Sequence, residues 1–83
     1  MEYIITFYSH FGAISYKRKC AEKGIAAKLM PVPRSLSSSC GTCVCCTGDV
    51  IIPNDESNEA DFDELEAVFR VETDGYSELY SRE

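Results

Sequence analysis

Long apolar runs are missing from this chain. Its longest purely apolar stretches span a few positions, against the ~20 that a membrane helix needs, and the N-terminus has no basic segment followed by an apolar run. The reading is a soluble, cytoplasmic protein with no membrane partner. Basic charge is scarce too: eight Lys and Arg face fourteen Asp and Glu, leaving a net charge of −6. Most of the bases lie between Lys17 and Arg34, and the acids crowd after Asp49. With no basic stripe interleaved with aromatics, nothing is set up to displace counterions from a phosphate backbone, so nucleic acid is not an expected partner. Histidine occurs once, at His10, and no repeat is present. With 83 residues the chain makes one domain, 1–83, burying only ~60–65% of the surface its unfolded form exposes. Function is therefore expected in a few side chains.

What the chain does have is cysteine. Four of its five lie within "PVPRSLSSSCGTCVCC", residues 31–46. Cytosolic thiols are held reduced, the cysteine fraction is below the ~8–10% of a secreted disulfide scaffold, and an odd count leaves one thiol unpaired in any internal scheme.

Hydrophobic patterning supplies the frame. "YIITF" (3–7) is a β-branched, aromatic run suited to a buried strand. Phe11, Ile14, Ala21 and Ile25 then recur on one helical face, with Ser9 as N-cap and Gly24 as the C-terminal stop. "IAAKLMPVP" reads as a strand that Pro31 and Pro33 confine to an edge or bring to an end, pushing the next residues out as a loop. "TCVCC" reads as a third strand opening at Gly41 and closing at Gly48. Residues 49–60 form an acidic, turn-rich connection expected to be mobile. Asp61 is placed to cap a second helix with Phe62, Leu65 and Phe69 on one face and Val68 at its flank; Asp74-Gly75 signals a turn and "YSELYS" a last strand. The resulting order, β-α-β-β-α-β, predicts an α+β fold of the ferredoxin-like split β-α-β type, an antiparallel sheet with two helices on one face.

Strand geometry separates the uses of the cysteines. In an extended 42–46 segment Cys43 and Cys45 point to one face, ~7 Å apart, and Cys46 to the other. A disulfide needs Cβ atoms about 4 Å apart, which leaves Cys40 and Cys43, across the Gly41 turn, as the natural local pair. A structural zinc site takes a knuckle from each of two segments, and one knuckle is present; a set of Cys40, Cys43, Cys45 and Cys46 holding zinc or another thiophilic metal is the metal alternative to a protein without cofactor. A working thiol asks for different surroundings. At a pKa of about 8.5 only about 3% of a free thiol is ionised at neutral pH, so cations or hydrogen-bond donors must be near. Arg34 offers a permanent charge, Ser37, Ser38 and Ser39 offer hydroxyl and amide donors able to cradle an anion, and Gly41 permits close approach of a partner. Cysteine is also a common core residue, which suits Cys45 and Cys46. Cys20 is read as structural.

The opening "YIITFYS", the helix ending "KGIAAKLMPVPR" and above all "PVPRSLSSSCG" resemble the selenium/sulfur (Se/S) carrier-like domain family of small bacterial proteins, whose pattern runs P-x-P-R-x-x-S-S-S-C-G. The resemblance covers residues 3–46. It implies a non-catalytic sulfur or selenium carrier with the atom held on Cys40 as a persulfide or selenide, beside Arg34, Ser37, Ser38, Ser39 and Gly41. It further implies a cysteine desulfurase-like donor and a sulfur- or selenium-accepting enzyme as partners. Two features depart from the pattern: the three thiols of "TCVCC" and a longer acidic stretch at 49–59. With them come two alternatives, a thiol-disulfide redox protein in which Cys43 resolves Cys40, and a cysteine-rich metal-binding module. An enzyme would need a general base beside the nucleophile, and His10 shares no local motif with Cys40.

Overall fold

The computed structural model describes residues 1–53 and 63–81. Its elements are β1 (Glu2–Phe7), α1 (His10–Glu22), β2 (Ala26–Pro31), β3 (Thr42–Thr47), β4 (Leu65–Glu72) and β5 (Gly75–Ser81). The strands form one sheet in the order β2-β3-β1-β4-β5, with every neighbouring pair antiparallel. The fold class is α+β. β2 runs along an edge, where a strand ending in proline loses no interior ladder bond.

The second helix of the expected β-α-β-β-α-β order is not formed where it can be checked: Leu65, Val68 and Phe69 belong to β4, while Asp61 and Phe62 lie outside the described residues. Leu65 and Phe69 sit at helical spacing, yet Leu65, Ala67, Phe69 and Val71 also alternate with Glu66, Val68, Arg70 and Glu72. The second period wins because a partner strand is available. Thr73 and Asp74 turn the chain and Glu72 pairs with Gly75, so the Asp74-Gly75 signal belongs to a β-hairpin. Two helices on one face therefore become one among the described residues.

α1 begins as expected, with Ser9 Oγ accepting the Gly12 amide at 3.1 Å. It ends in a Schellman arrangement: Ile25 N–H donates to the Cys20 carbonyl at 2.8 Å and Gly24 N–H to that of Ala21 at 3.2 Å, with Gly24 in the left-handed region at φ +77°. The buried face is not the predicted one. Phe11 and Ile14 are 75% and 47% exposed, and Ala21 is exposed too. Gly12, Ala13, Tyr16 and Cys20 turn inward instead. Residues 13, 16 and 20 satisfy the helical period as well as 11, 14 and 21 do, and the face that turns inward is the one carrying Gly12, where helix and chain approach closely. A Cβ on Gly12 would collide with the Cβ of Glu64, whose carbonyl takes the Tyr8 amide at 2.7 Å.

Alternation along the strands gives the sheet two faces, with the register shift between Thr6 and Phe7 setting Leu65 on the face of Val68 and opposite that of Phe69 and Val71. On the helix side Ile5, Phe7, Val44, Cys46, Leu65 and Val68 pack with Ala13, Tyr16 and Cys20, each large apolar side chain contributing ~1.5–3 kcal/mol of burial. Phe7 and Tyr16 stack tilted, ring centres 5.4 Å apart. On the other face Ile4, Cys43 and Cys45 are buried among Met30, Val32, Leu36, Phe69, Val71 and Tyr76.

Candidate functional site

The segment between β2 and β3 is a closed loop. Val32 N–H donates to the Gly41 carbonyl at 3.1 Å, tying its two ends, and Leu36 N–H donates to the Pro33 carbonyl at 3.0 Å, so residues 33–36 turn with Arg34 at the corner. Proline there pre-sets its own φ. Leu36 drops onto the Cys43 face of the sheet, whereas Cys40 packs against the helix-side core. The loop thus wraps the end of the sheet at which β1 finishes and α1 starts. Ser38 Oγ donates to the Phe7 carbonyl at 2.9 Å and Ser39 N–H to Glu66 Oε1 on β4 at 3.3 Å, fastening the loop across that end.

Cys40 is half-buried, and the other four cysteines are buried. Its thiol donates to the Thr42 carbonyl at 3.3 Å, and Gly41 follows with φ +76°, a backbone conformation that side chains with a Cβ rarely adopt. Arg34 and Ser37 are exposed, and among the described residues neither side chain has a hydrogen bond or ion pair. Two of the donors expected to face the sulfur instead face the protein, the Ser38 hydroxyl on Phe7 and the Ser39 amide on Glu66. Their role in this structure is to shape the loop. His10, exposed, opens α1 at the same end of the sheet.

The remaining thiols divide as strand alternation requires. Cys43 and Cys45 share one face and Cys46 takes the other. Burial pushes the Cys43 thiol up to about 11, and burial followed by the Glu2 carboxylate raises that of Cys45. Cys43, fully buried with its thiol directed to the Pro31 carbonyl at 3.7 Å, and Cys40 lie in different clusters on the two sides of the sheet. The same division bears on the metal alternative. Thiols pointing to opposite faces of one strand do not close a tetrahedron, and among the described residues no three His, Cys, Asp or Glu side chains converge. The Cys40, Cys43, Cys45 and Cys46 set does not fit a zinc ion.

Sequence reasoning did not find Glu66 or Phe7 as anchors of the loop. Neither has a local signal, and Glu66 lay inside the segment read as helix. It also treated Cys20 alone, although the fold sets it against Cys46, Sγ to Sγ 3.7 Å.

The family model described as "Putative Se/S carrier protein-like" matches residues 2–51. The chain belongs to this family, and the match ends just beyond β3, so it contains the whole of the cysteine loop. No curated protein and no solved structure matches the chain. Among the described residues no helix is long and apolar enough to cross a membrane.

Proposed function

We propose that this protein is a non-catalytic carrier that holds sulfane sulfur, or selenium, on Cys40 and passes it between enzymes. The observation that carries the reading is the unequal burial of the five thiols: Cys40 is half-buried and the other four are buried. Cys40 lies on the loop that wraps the end of the sheet, within the segment that the family model matches.

Loading is a sulfur transfer between thiols. The Cys40 thiolate attacks the terminal sulfur of a donor persulfide, the donor's S–S bond breaks, and its cysteine leaves as thiolate. Cys40 then carries the sulfur as Cys40–S–SH, more acidic than the parent thiol. Delivery repeats the exchange: an acceptor thiolate attacks the outer sulfur and Cys40 is released as thiolate. No electrons are gained or lost overall, and the protein supplies position only. A selenium atom in the outer place follows the same course. The donor is a cysteine desulfurase-like enzyme and the acceptor a sulfur- or selenium-using enzyme. Gly41, lacking a side chain, gives a partner room beside the sulfur, and Arg34 at the turn provides the cation nearest in sequence, which favours the anionic persulfide. Among the described residues the hydroxyls of Ser37 and Ser39 have no partner and are open to the same anion, while Ser38 holds the loop.

The test is sulfur loading with labelled cysteine and a cysteine desulfurase. Label should bind wild-type protein, be released by reductant, persist in Cys45→Ala and be lost in Cys40→Ala. Equal labelling of Cys40→Ala and wild type sinks the assignment of Cys40.

A further inference from the structure

Beneath α1 lies a second thiol arrangement that the carrier reading does not use. Cys20, in the last turn of α1, and Cys46, on β3, are both fully buried, with their sulfurs 3.7 Å apart and sharing a hydrogen bond. We propose that Cys20 and Cys46 form a redox-active pair, which hydrogen peroxide converts into a disulfide joining α1 to β3.

Three observations support the pair. The sulfurs are already at van der Waals contact, 3.7 Å apart, and an S–S bond of about 2.05 Å asks for a closing movement shared between rotations about the two Cα–Cβ bonds. The two thiols are also unequal. The hydrogen bond from Cys46 lowers the pKa of Cys20, while the same bond, then burial, raises that of Cys46. Cys20 is thus the more acidic of the two and Cys46 the less. Burial, finally, selects the oxidant. Bulky disulfides and enzymes cannot reach a pair with no exposed surface, whereas peroxide is small and uncharged, and Cys20 lies two residues from a helix end, where local opening costs least.

The chemistry balances. The Cys20 thiolate attacks one peroxide oxygen, the O–O bond breaks, and the departing hydroxide takes up the proton that Cys20 released, leaving as water. Cys20 is then a sulfenic acid. The Cys46 sulfur attacks it, the S–O bond breaks, the Cys46 proton goes to the departing hydroxyl, and a second water leaves. Two thiols are oxidised to a disulfide and one peroxide is reduced to two waters. The bond would enclose β2 and the whole cysteine loop, tying the helix to the strand that follows Cys40. It leaves Cys40 itself untouched, so the pair stands or falls apart from the carrier reading.

Peptide mapping of the wild-type protein tests this without depending on any variant. Cys40 is blocked under native conditions with iodoacetamide, hydrogen peroxide is added in slight excess, and the protein is then denatured and treated with a second alkylating reagent of different mass. The expected product is a cross-linked peptide pair containing Cys20 and Cys46, lighter by two hydrogens and restored by dithiothreitol, with Tm raised by roughly 10 °C over reduced protein. A Cys46→Ala variant should give no such cross-link. The proposal is overturned if Cys20 and Cys46 both take the second reagent after peroxide treatment, if either ends as a sulfinic acid, or if the cross-link maps to another pair.

Discussion

Replacing Ser38 by alanine should loosen the cysteine loop at its attachment to the sheet. The Ser38 hydroxyl donates at 2.9 Å to the carbonyl of Phe7, a residue 1% exposed at the end of β1, where the pairing with β4 shifts register. A net protein hydrogen bond contributes about 0.5–1.5 kcal/mol, and a partner left unsatisfied costs about 1–3 kcal/mol. The half-buried position of Ser38 admits some water, so about 1–2 kcal/mol is the expected loss. For a domain of this size that lowers Tm by roughly 5–15 °C. Ser38→Thr keeps the hydroxyl and should recover most of the loss, whereas Ser37→Ala, at an exposed position, should shift stability by less than about 0.5 kcal/mol. Thermal denaturation followed by circular dichroism reads the stability. The second-order rate of Cys40 alkylation reads the loop, and it should rise in Ser38→Ala as the half-buried thiol opens to solvent. Identical melting curves for Ser38→Ala and Ser37→Ala would refute the argument that this bond fastens the loop.

Gly12→Ala should destabilise the fold by about 1–2 kcal/mol in urea titrations despite a helix-propensity gain of about 1 kcal/mol, because the new methyl meets the Glu64 Cβ; a stabilised variant contradicts the close approach. Tyr16→Phe removes a hydroxyl that donates to the Ile51 carbonyl at 2.7 Å and accepts its amide at 3.1 Å, so about 1–3 kcal/mol should be lost, and an unchanged urea midpoint argues against that tie. Stability should also fall at alkaline pH. Cys43 is raised from 9.0 to about 11, so the native state binds more protons than the unfolded one in that window; its contribution is full below about 9 and some 2–3 kcal/mol is lost as pH climbs through 11. Burial raises Tyr16 and Cys45 in the same sense, and the Cys20 hydrogen bond raises Cys46, while Cys20, lowered, acts oppositely. Denaturation midpoints that stay level from pH 8 to 11 contradict this balance.

The first half of the chain was legible because its signals are local. Ser9 caps, Gly24 stops, Pro31 ends the edge strand β2, and Gly41 and Gly48 bracket β3, each acting within a few residues of its effect. The division of Cys43 and Cys45 from Cys46 followed from strand alternation alone. What the sequence left undecided were choices that only tertiary partners make. Two faces of α1 have the helical period, and the one that carries Gly12 lies against Glu64 and turns inward. Residues 65–72 fit a helix or a strand, and β1 on one side with β5 on the other selects the strand. The site shows the same limit: the serine run announced a loop with spare donors, but Phe7 and Glu66, which take two of those donors, come from distant parts of the chain. For the same reason no motif could foretell Cys20 against Cys46, which is a product of helix packing.

The central claim, that Cys40 is the sulfur-bearing thiol, is tested most directly by peptide-resolved mass spectrometry of non-reduced protein after incubation with a cysteine desulfurase and cysteine. The account predicts one additional sulfur atom on the Cys40 peptide, removed by reductant, with Cys20, Cys43, Cys45 and Cys46 left as bare thiols. A bare Cys40 in a mixture where another sulfur acceptor is loaded, or an added sulfur on a different cysteine, would contradict it.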